Sequence, residues 1–237
     1  ASSFTGNLKV TVSNHNTTNV STVKTGTGND TITLTQSATA NTTTHVGEAG
    51  QGNDTITAKD SFVSITGGKG ADIIDITDAV AAQDTIVIAA GDSTVAARDK
   101  VTGFAIVNGA TTDKLDLAGT GIQGDVAAAD GVDSGVIKSH KIASGVITFD
   151  DINAYDTALV INASNLTDVL NYLTGNVTTA GNPVAFAYDS DNNGSNDATI
   201  VFQAAATAAD ATVVELVGVT GVTAVATAAG ANTILIA

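Results

Sequence analysis

The sequence predicts a mainly β protein: a parallel coil of short strands over residues 1–120, followed by a β-rich segment over 121–237 with one short helix. Three observations carry this. Gly67-Gly68-Lys69-Gly70-Ala71-Asp72-Ile73-Ile74-Asp75 fits the nine-residue pattern G-G-x-G-x-D-x-U-x, with U a large apolar residue, at every fixed position. Ile56, Ile65 and Ile74 fall in strict nine-residue register. The apolar mass is Val, Ile, Leu and Ala with abundant Thr, and aromatics make up only 4%, which favours strands with thin, β-branched cores.

The motif recurs. Thr25-Gly26-Thr27-Gly28-Asn29-Asp30-Thr31-Ile32-Thr33 and Ala49-Gly50-Gln51-Gly52-Asn53-Asp54-Thr55-Ile56-Thr57 keep all but the first glycine. Asp54 and Asp72 are 18 residues apart, one full turn of a coil built as loop, strand, loop, strand. Glycine admits positive φ, so the turn can aim its carbonyls inward, and the Asp adds a carboxylate. Hard oxygen donors of this kind suit Ca²⁺. Gly-Asn-Asp and Gly-Ala-Asp are also ordinary turn sequences, and plain β-turns are the competing reading. Three copies, one complete, favour calcium.

Before the coil, Leu8, Val10, Val12, Val20 and Val23 alternate weakly and are expected to form strands, earlier and degenerate turns of the same architecture. Asn16-Thr17-Thr18 is one of several N-x-S/T triplets that so Asn- and Thr-rich a composition produces. Thr35 to His45 is read as an enlarged loop, because it offsets the first repeat from the second by 24 residues. His15, His45 and His140 have no partner at metal spacing and are expected at the surface.

Residues 79–118 continue a D-x-U pattern without the repeated glycines: Asp84-Thr85-Ile86, Asp99-Lys100-Val101 and Asp113-Lys114-Leu115. Gly70-Ala71-Asp72, then Asp84-Thr85-Ile86-Val87-Ile88, then Asp99-Lys100-Val101-Thr102-Gly103-Phe104, then Thr112-Asp113-Lys114-Leu115-Asp116-Leu117 resembles the end of an RTX (repeats-in-toxin) β-roll, as in the carboxyl-terminal domains of serralysin-type proteases. The resemblance covers about residues 25–120. It implies extracellular calcium binding and type I secretion. It also implies Asp30, Asp54 and Asp72 as side-chain ligands, with the remaining donors from the loop carbonyls around Gly26, Gly28, Gly50, Gly52, Gly68 and Gly70.

Beyond residue 120, Val136-Ile137 and Gly145-Val146-Ile147-Thr148-Phe149 read as strands. Ser164 to Thr174 is the best helix, with Ser164 as its cap, Leu166, Val169, Leu170 and Leu173 on one apolar face, and Gly175 at its end. Asp189-Ser190-Asp191-Asn192-Asn193-Gly194-Ser195-Asn196-Asp197 is the first half of an EF-hand-type loop, although position 12 is Ile200 rather than Glu and no helix follows. It is read as a strand–loop–strand calcium site with Asp189, Asp191, Asn193 and Asp197 as donors, against a polar hairpin loop. Val213–Val219 and Asn232–Ala237 read as strands, the second also resembling an uncleaved carboxyl-terminal secretion signal.

A net charge of −15 disfavours nucleic acid and anionic membranes and favours a cation-rich exterior. There is no cysteine, and calcium would replace the disulfide as the staple of an extracellular coil. With Ala1 first and no Met, the chain is expected to be a fragment or a processed form. No signal peptide or membrane span is evident. No His-Glu-x-x-His, Gly-x-Ser-x-Gly or thiol occurs, so no enzyme activity is expected. The Thr/Ala/Gly/Asn-rich composition, the acidic balance and the Phe186-to-Gly194 segment with its Val-rich sequel resemble the ends of RTX-type bacterial surface-layer proteins. That resemblance implies an extracellular, cell-surface location and a lattice partner that is another copy of the chain. It also implies cell-surface polysaccharide contacts through upstream regions. The alternative is a secretion and folding module of an exported enzyme or adhesin.

Overall fold

The structure, a computed structural model, describes residues 5–14, 20–36, 44–59, 62–79, 81–106, 111–119, 121–207, 210–228 and 232–237. Alternate strands feed two opposed sheets. The first receives β1 (Lys9–Asn14), β3 (Thr31–Gln36), β5 (Thr55–Lys59), β7 (Ile73–Asp75) and β9 (Asp99–Thr102), all parallel. The second receives β2 (Thr22–Lys24), β4 (His45–Gln51), β6 (Val63–Lys69), β8 (Thr85–Ile88) and β10 (Lys114–Leu117), also parallel. This is the coil that the repeat spacing predicts, and β1 and β2 form its first turn.

Strand alternation puts every second residue inward. Ile32, Ile56, Ile74 and Val101 are directly paired from strand to strand and have no exposed surface. Ile65, Ile86 and Leu115 do the same on the opposite wall. The nine-residue register of Ile56, Ile65 and Ile74 thus places successive isoleucines on alternate walls of one core.

The second half continues the same sheets across the expected boundary at residue 120. It comprises β11 (Val126–Ser134), β12 (Ile137–Ala143), β13 (Val146–Asp150), α1 (Leu166–Asn176), β14 (Pro183–Tyr188), β15 (Ala198–Gln203), β16 (Thr212–Val217), β17 (Val225–Thr227) and β18 (Thr233–Ile236). β16 pairs in parallel with β9, and β18 pairs antiparallel with β10. The result is an eleven-stranded and a seven-stranded sheet. β14, β15 and β16 are buried on both faces except at Ala187 and Val217. Ala185, Val201, Val214 and Leu216 enter the core of the coil, while Val184, Phe186, Ile200, Phe202 and Val213 enter a second core with α1. That second core holds edge-to-face aromatic contacts from Phe149 to Tyr172 (6.1 Å) and to Phe186 (5.4 Å).

Several expectations need correction. The helix spans Leu166–Asn176, with Asn165 at the capping position, so Gly175 lies inside it. Ser164 is drawn away from capping because its hydroxyl donates to Asn162 Oδ1 at 2.6 Å. The expected loop from Thr35 to His45 is shorter at its ends, with Thr35 in β3 and His45 in β4, and residues 37–43 lie outside the described residues. His45 and His140 are buried, not at the surface, because each falls on an inward position of its strand. His45 Nδ1 accepts the Ser21 N–H at 3.0 Å, and His140 Nδ1 lies 2.9 Å from the Tyr172 hydroxyl. Burial lowers the pKa of both imidazoles. His15 and the triplet Asn16-Thr17-Thr18 lie outside the described residues.

Candidate metal centre

The glycine turns stack in register along one side of the coil. Gly28, Gly50, Gly52, Gly68 and Gly70 all take positive φ, while Gly26 does not. The stacking leaves no room for a side chain: a Cβ on Gly68 would collide with Gly50 O, and one on Gly70 with Gly52 O. Glycine is therefore required by close approach as well as by φ. Backbone hydrogen bonds tie neighbouring turns, with Gly26 O accepting from Gln51 N at 2.9 Å and Gly52 N donating to Lys69 O at 2.8 Å.

Two side-chain ladders run through these turns in opposite senses. In the Asp ladder each N–H reaches forward to a carboxylate of the next turn: Leu8 to Asp30 (2.8 Å), Asp30 to Asp54 (2.7 Å), Asp54 to Asp72 (2.8 Å) and Asp72 to Asp99 (3.0 Å). In the Asn ladder each N–H reaches back to the preceding turn: Asn29 to Asn7 (2.9 Å), Asn53 to Asn29 (3.0 Å) and Ala71 to Asn53 (3.0 Å). Gly6-Asn7-Leu8 is thus a degenerate repeat, with Leu8 where the later turns carry Asp.

A second Asp ladder lies on the other side of the coil. Val63 N–H donates to Asp84 (2.9 Å) and Asp84 N–H to Asp113 (2.8 Å). Asp84, Asp99 and Asp113 are as buried as Asp54 and Asp72. In the sequence they are D-x-U units outside the expected set of ligands. The signal was the Asp itself two places before a buried apolar residue, without the glycines.

These carboxylates are ionised at a cost. Burial first, and then the neighbouring charges of Asp54 and Asp92, push Asp72 up to about 7. Burial and the Asp113 and Asp78 charges push Asp84 up to about 8. Burial and the Asp72 and Asp92 charges bring Asp99 to about 8, and burial with Asp78 brings Asp113 to about 6. Asp54 is raised by burial and by the Asp30 charge. Asp30 differs. Burial opposes its ionisation, but hydrogen bonds from Thr25, Leu8 and Gly26 outweigh that and lower its pKa.

Asp54 Oδ2 and Asp72 Oδ2 are buried with no hydrogen-bond partner. An orphaned carboxylate oxygen in a buried, anionic place fits a cation. Among the described residues no three His, Cys, Asp or Glu side chains converge to hold a metal. A calcium ion there would therefore need Asp54 or Asp72 together with backbone carbonyls of the glycine turns, a hard-oxygen set that suits it. Bound there, calcium would offset the negative charge of these carboxylates. The protein's own part is to hold the carboxylates in place through the ladder amides.

Asp189, Asp191, Asn193 and Asp197 lie in the loop of the β14–β15 hairpin. Asp189 accepts from Asn193 N (3.2 Å) and Gly194 N (2.8 Å), and Asp191 from Asn193 N (3.1 Å). Asp197 accepts from the Ser190 N–H and hydroxyl, both at 2.8 Å. The loop joins two antiparallel strands, and its amides engage these carboxylates.

Residues 48–75 match the family described as RTX calcium-binding nonapeptide repeat (4 copies). The matched segment contains the Asp54 and Asp72 turns, so calcium-binding repeats lie where the structure leaves carboxylate oxygens without partners. No curated protein and no solved structure matches the chain.

Proposed function

We propose that this chain is a structural, calcium-binding component of a bacterial surface layer. It leaves the cell by type I secretion, folds on extracellular calcium, and assembles with copies of itself. Cell-surface polysaccharide would anchor the layer. The reading assigns it no catalysis, no nucleic-acid partner and no membrane insertion. Among the described residues no helix is long and apolar enough to cross a membrane. Proteins with such repeats are typically secreted.

The carrying observation is the pair of unpartnered buried oxygens on Asp54 and Asp72. With little calcium, as inside a cell, these carboxylates oppose folding. At millimolar calcium, binding adds RT ln(1 + [Ca]/Kd) per site, about 2.7 kcal/mol at a hundredfold excess over Kd. The hairpin loop of Asp189, Asp191, Asn193 and Asp197 is proposed as a further calcium site. Support for the lattice comes from the acidic, Cys-free, aromatic-poor composition.

The test is negative-stain electron microscopy and light scattering in millimolar Ca²⁺ and then in chelator. Ordered sheets or oligomers that vanish on chelation are expected. A monomer that folds with calcium and never assembles overturns the lattice part. No response to chelation overturns the calcium part.

A further inference from the structure

We propose that Ser93 and Glu215 are positioning residues for calcium at the Asp72 turn, an inference that rests on the calcium reading above. The Asp ladder has to end somewhere. Asp72 N–H is held by Asp99 Oδ1 at 3.0 Å, but Asp99 N–H meets no further carboxylate. It donates instead to Ser93 Oγ at 2.7 Å, and the Ser93 hydroxyl donates to Val213 O at 2.5 Å. Ser93 and Asp99 are both buried. The last link of the ladder is therefore fixed to β16, 120 residues further along the chain from Ser93.

The residues flanking Asp99 are fixed to the same strand. Arg98 Nε lies 2.8 Å from Glu215 Oε2, and Lys100 Nζ lies 3.0 Å from Glu215 Oε1. The Glu215 carboxylate is 1% exposed, so both its oxygens are committed to these two cations. β16 pairs with β9 so that Val214 faces Asp99 and Glu215 faces Lys100. Asp99 is thus held on its N–H by Ser93 and on either side by Glu215. Asp99 in turn holds the backbone of Asp72, whose free Oδ2 is a metal donor. Neither Ser93 nor Glu215 is a ligand. Each acts through Asp99, and the second half of the chain thereby sets the geometry of the last glycine turn.

A double-mutant cycle separates positioning from mere packing of the two halves. Calcium affinity is measured by calorimetry on the full chain, with folding checked by circular dichroism at saturating Ca²⁺. Ser93→Ala is expected to weaken affinity about tenfold, the scale of one lost buried hydrogen bond. In an Asp72→Asn background the same change is expected to cost less than about twofold, because the site it serves is gone. Ser93→Thr, which keeps the hydroxyl, restores affinity, and amide exchange at Asp99 quickens in Ser93→Ala alone. An equal effect in both backgrounds, or none in either, overturns the proposal. If Ser93→Ala does not fold at saturating calcium, Glu215→Gln carries the same cycle with the same criteria. A wild-type chain that takes up no calcium overturns the calcium reading, and this inference with it.

Discussion

Asp54 gives its N–H to Asp72 Oδ1 at 2.8 Å, while Oδ2 of each carboxylate stays buried without a partner. One oxygen of Asp72 therefore organises the neighbouring turn and the other is left for a cation. The two roles separate by mutation. Asp72→Asn keeps an acceptor for Asp54 N–H and removes the charge. It is expected to stabilise the calcium-free chain and to destabilise the calcium-loaded chain, each by about 1–3 kcal/mol. In the calcium-free chain Asp30→Asn is expected to rank the other way and destabilise, since both Asp30 oxygens already receive amide hydrogens and an Asn Nδ2 cannot accept one. Urea unfolding of both variants with Ca²⁺ and with chelator checks the ranking.

Calcium-free stability is expected to fall as pH rises. Asp72 titrates at about 7 in the fold, and Asp84 and Asp99 at about 8, against 3.8 for an ordinary Asp. Between those limits the folded chain keeps protons that the unfolded chain has released, so each rise in pH favours unfolding. The contribution is complete below 3.8 and gone above about 8. Buried His45 and His140, with pKa values below 6.5, act in the opposite sense as pH falls through that value. Thermal melts in chelator from about pH 6.5 to 8.5 therefore read the carboxylates. Calcium displaces the same protons, so its affinity is expected to rise over this window. Stability in chelator that is flat or rising with pH would sink the argument.

Two glycines should respond to alanine with opposite signs. Gly68 has φ +97° and its added Cβ would strike Gly50 O, so Gly68→Ala is expected to destabilise by at least about 2 kcal/mol. Gly175 sits inside α1 with nothing within 4 Å of an added Cβ, so Gly175→Ala is expected to stabilise by about 0.5–1 kcal/mol. Chemical denaturation in calcium gives both values.

Tyr172→Phe should cost about 1–2 kcal/mol, because it removes the hydroxyl beside the buried His140 Nδ1 and leaves that nitrogen unsatisfied. Calcium affinity is expected to be unchanged, since this pair belongs to the second core. A loss of affinity in this variant would mean that the two cores are coupled more widely than through Asp99.

The coil was legible because its periodicity is local. Each glycine turn announces itself within nine residues, and Ile56, Ile65 and Ile74 mark both walls. Asp84, Asp99 and Asp113 were harder to place. Their turns lack the glycines, and only the three-dimensional ladders show that Asp99 continues the row of Asp54 and Asp72 while Asp84 and Asp113 form a second row on the other side. The histidines were misjudged because burial of a lone imidazole depends on strand phase and on a distant partner, Tyr172 for His140, that no local spacing announces. The sharing of β14–β16 between two cores was not legible either. Those strands carry apolar residues on both faces, with Gln203 and Glu215 among the buried exceptions, and a run without clean alternation does not say which sheets it joins.

Successive aspartates of the first ladder are separated by 24, 18 and 27 residues, yet the hydrogen bonds between turns hold between 2.7 and 3.0 Å. The coil therefore counts its turns by carboxylates and not by residues, and surplus chain is absorbed between rungs. In engineering terms this makes the scaffold a carrier. A peptide epitope grafted between the Asp30 and Asp54 rungs, where the spacing already departs from 18, adds only the slowly growing entropy of a longer connection. The rungs on either side would stay in step, so the cargo would be held at a fixed height along the coil.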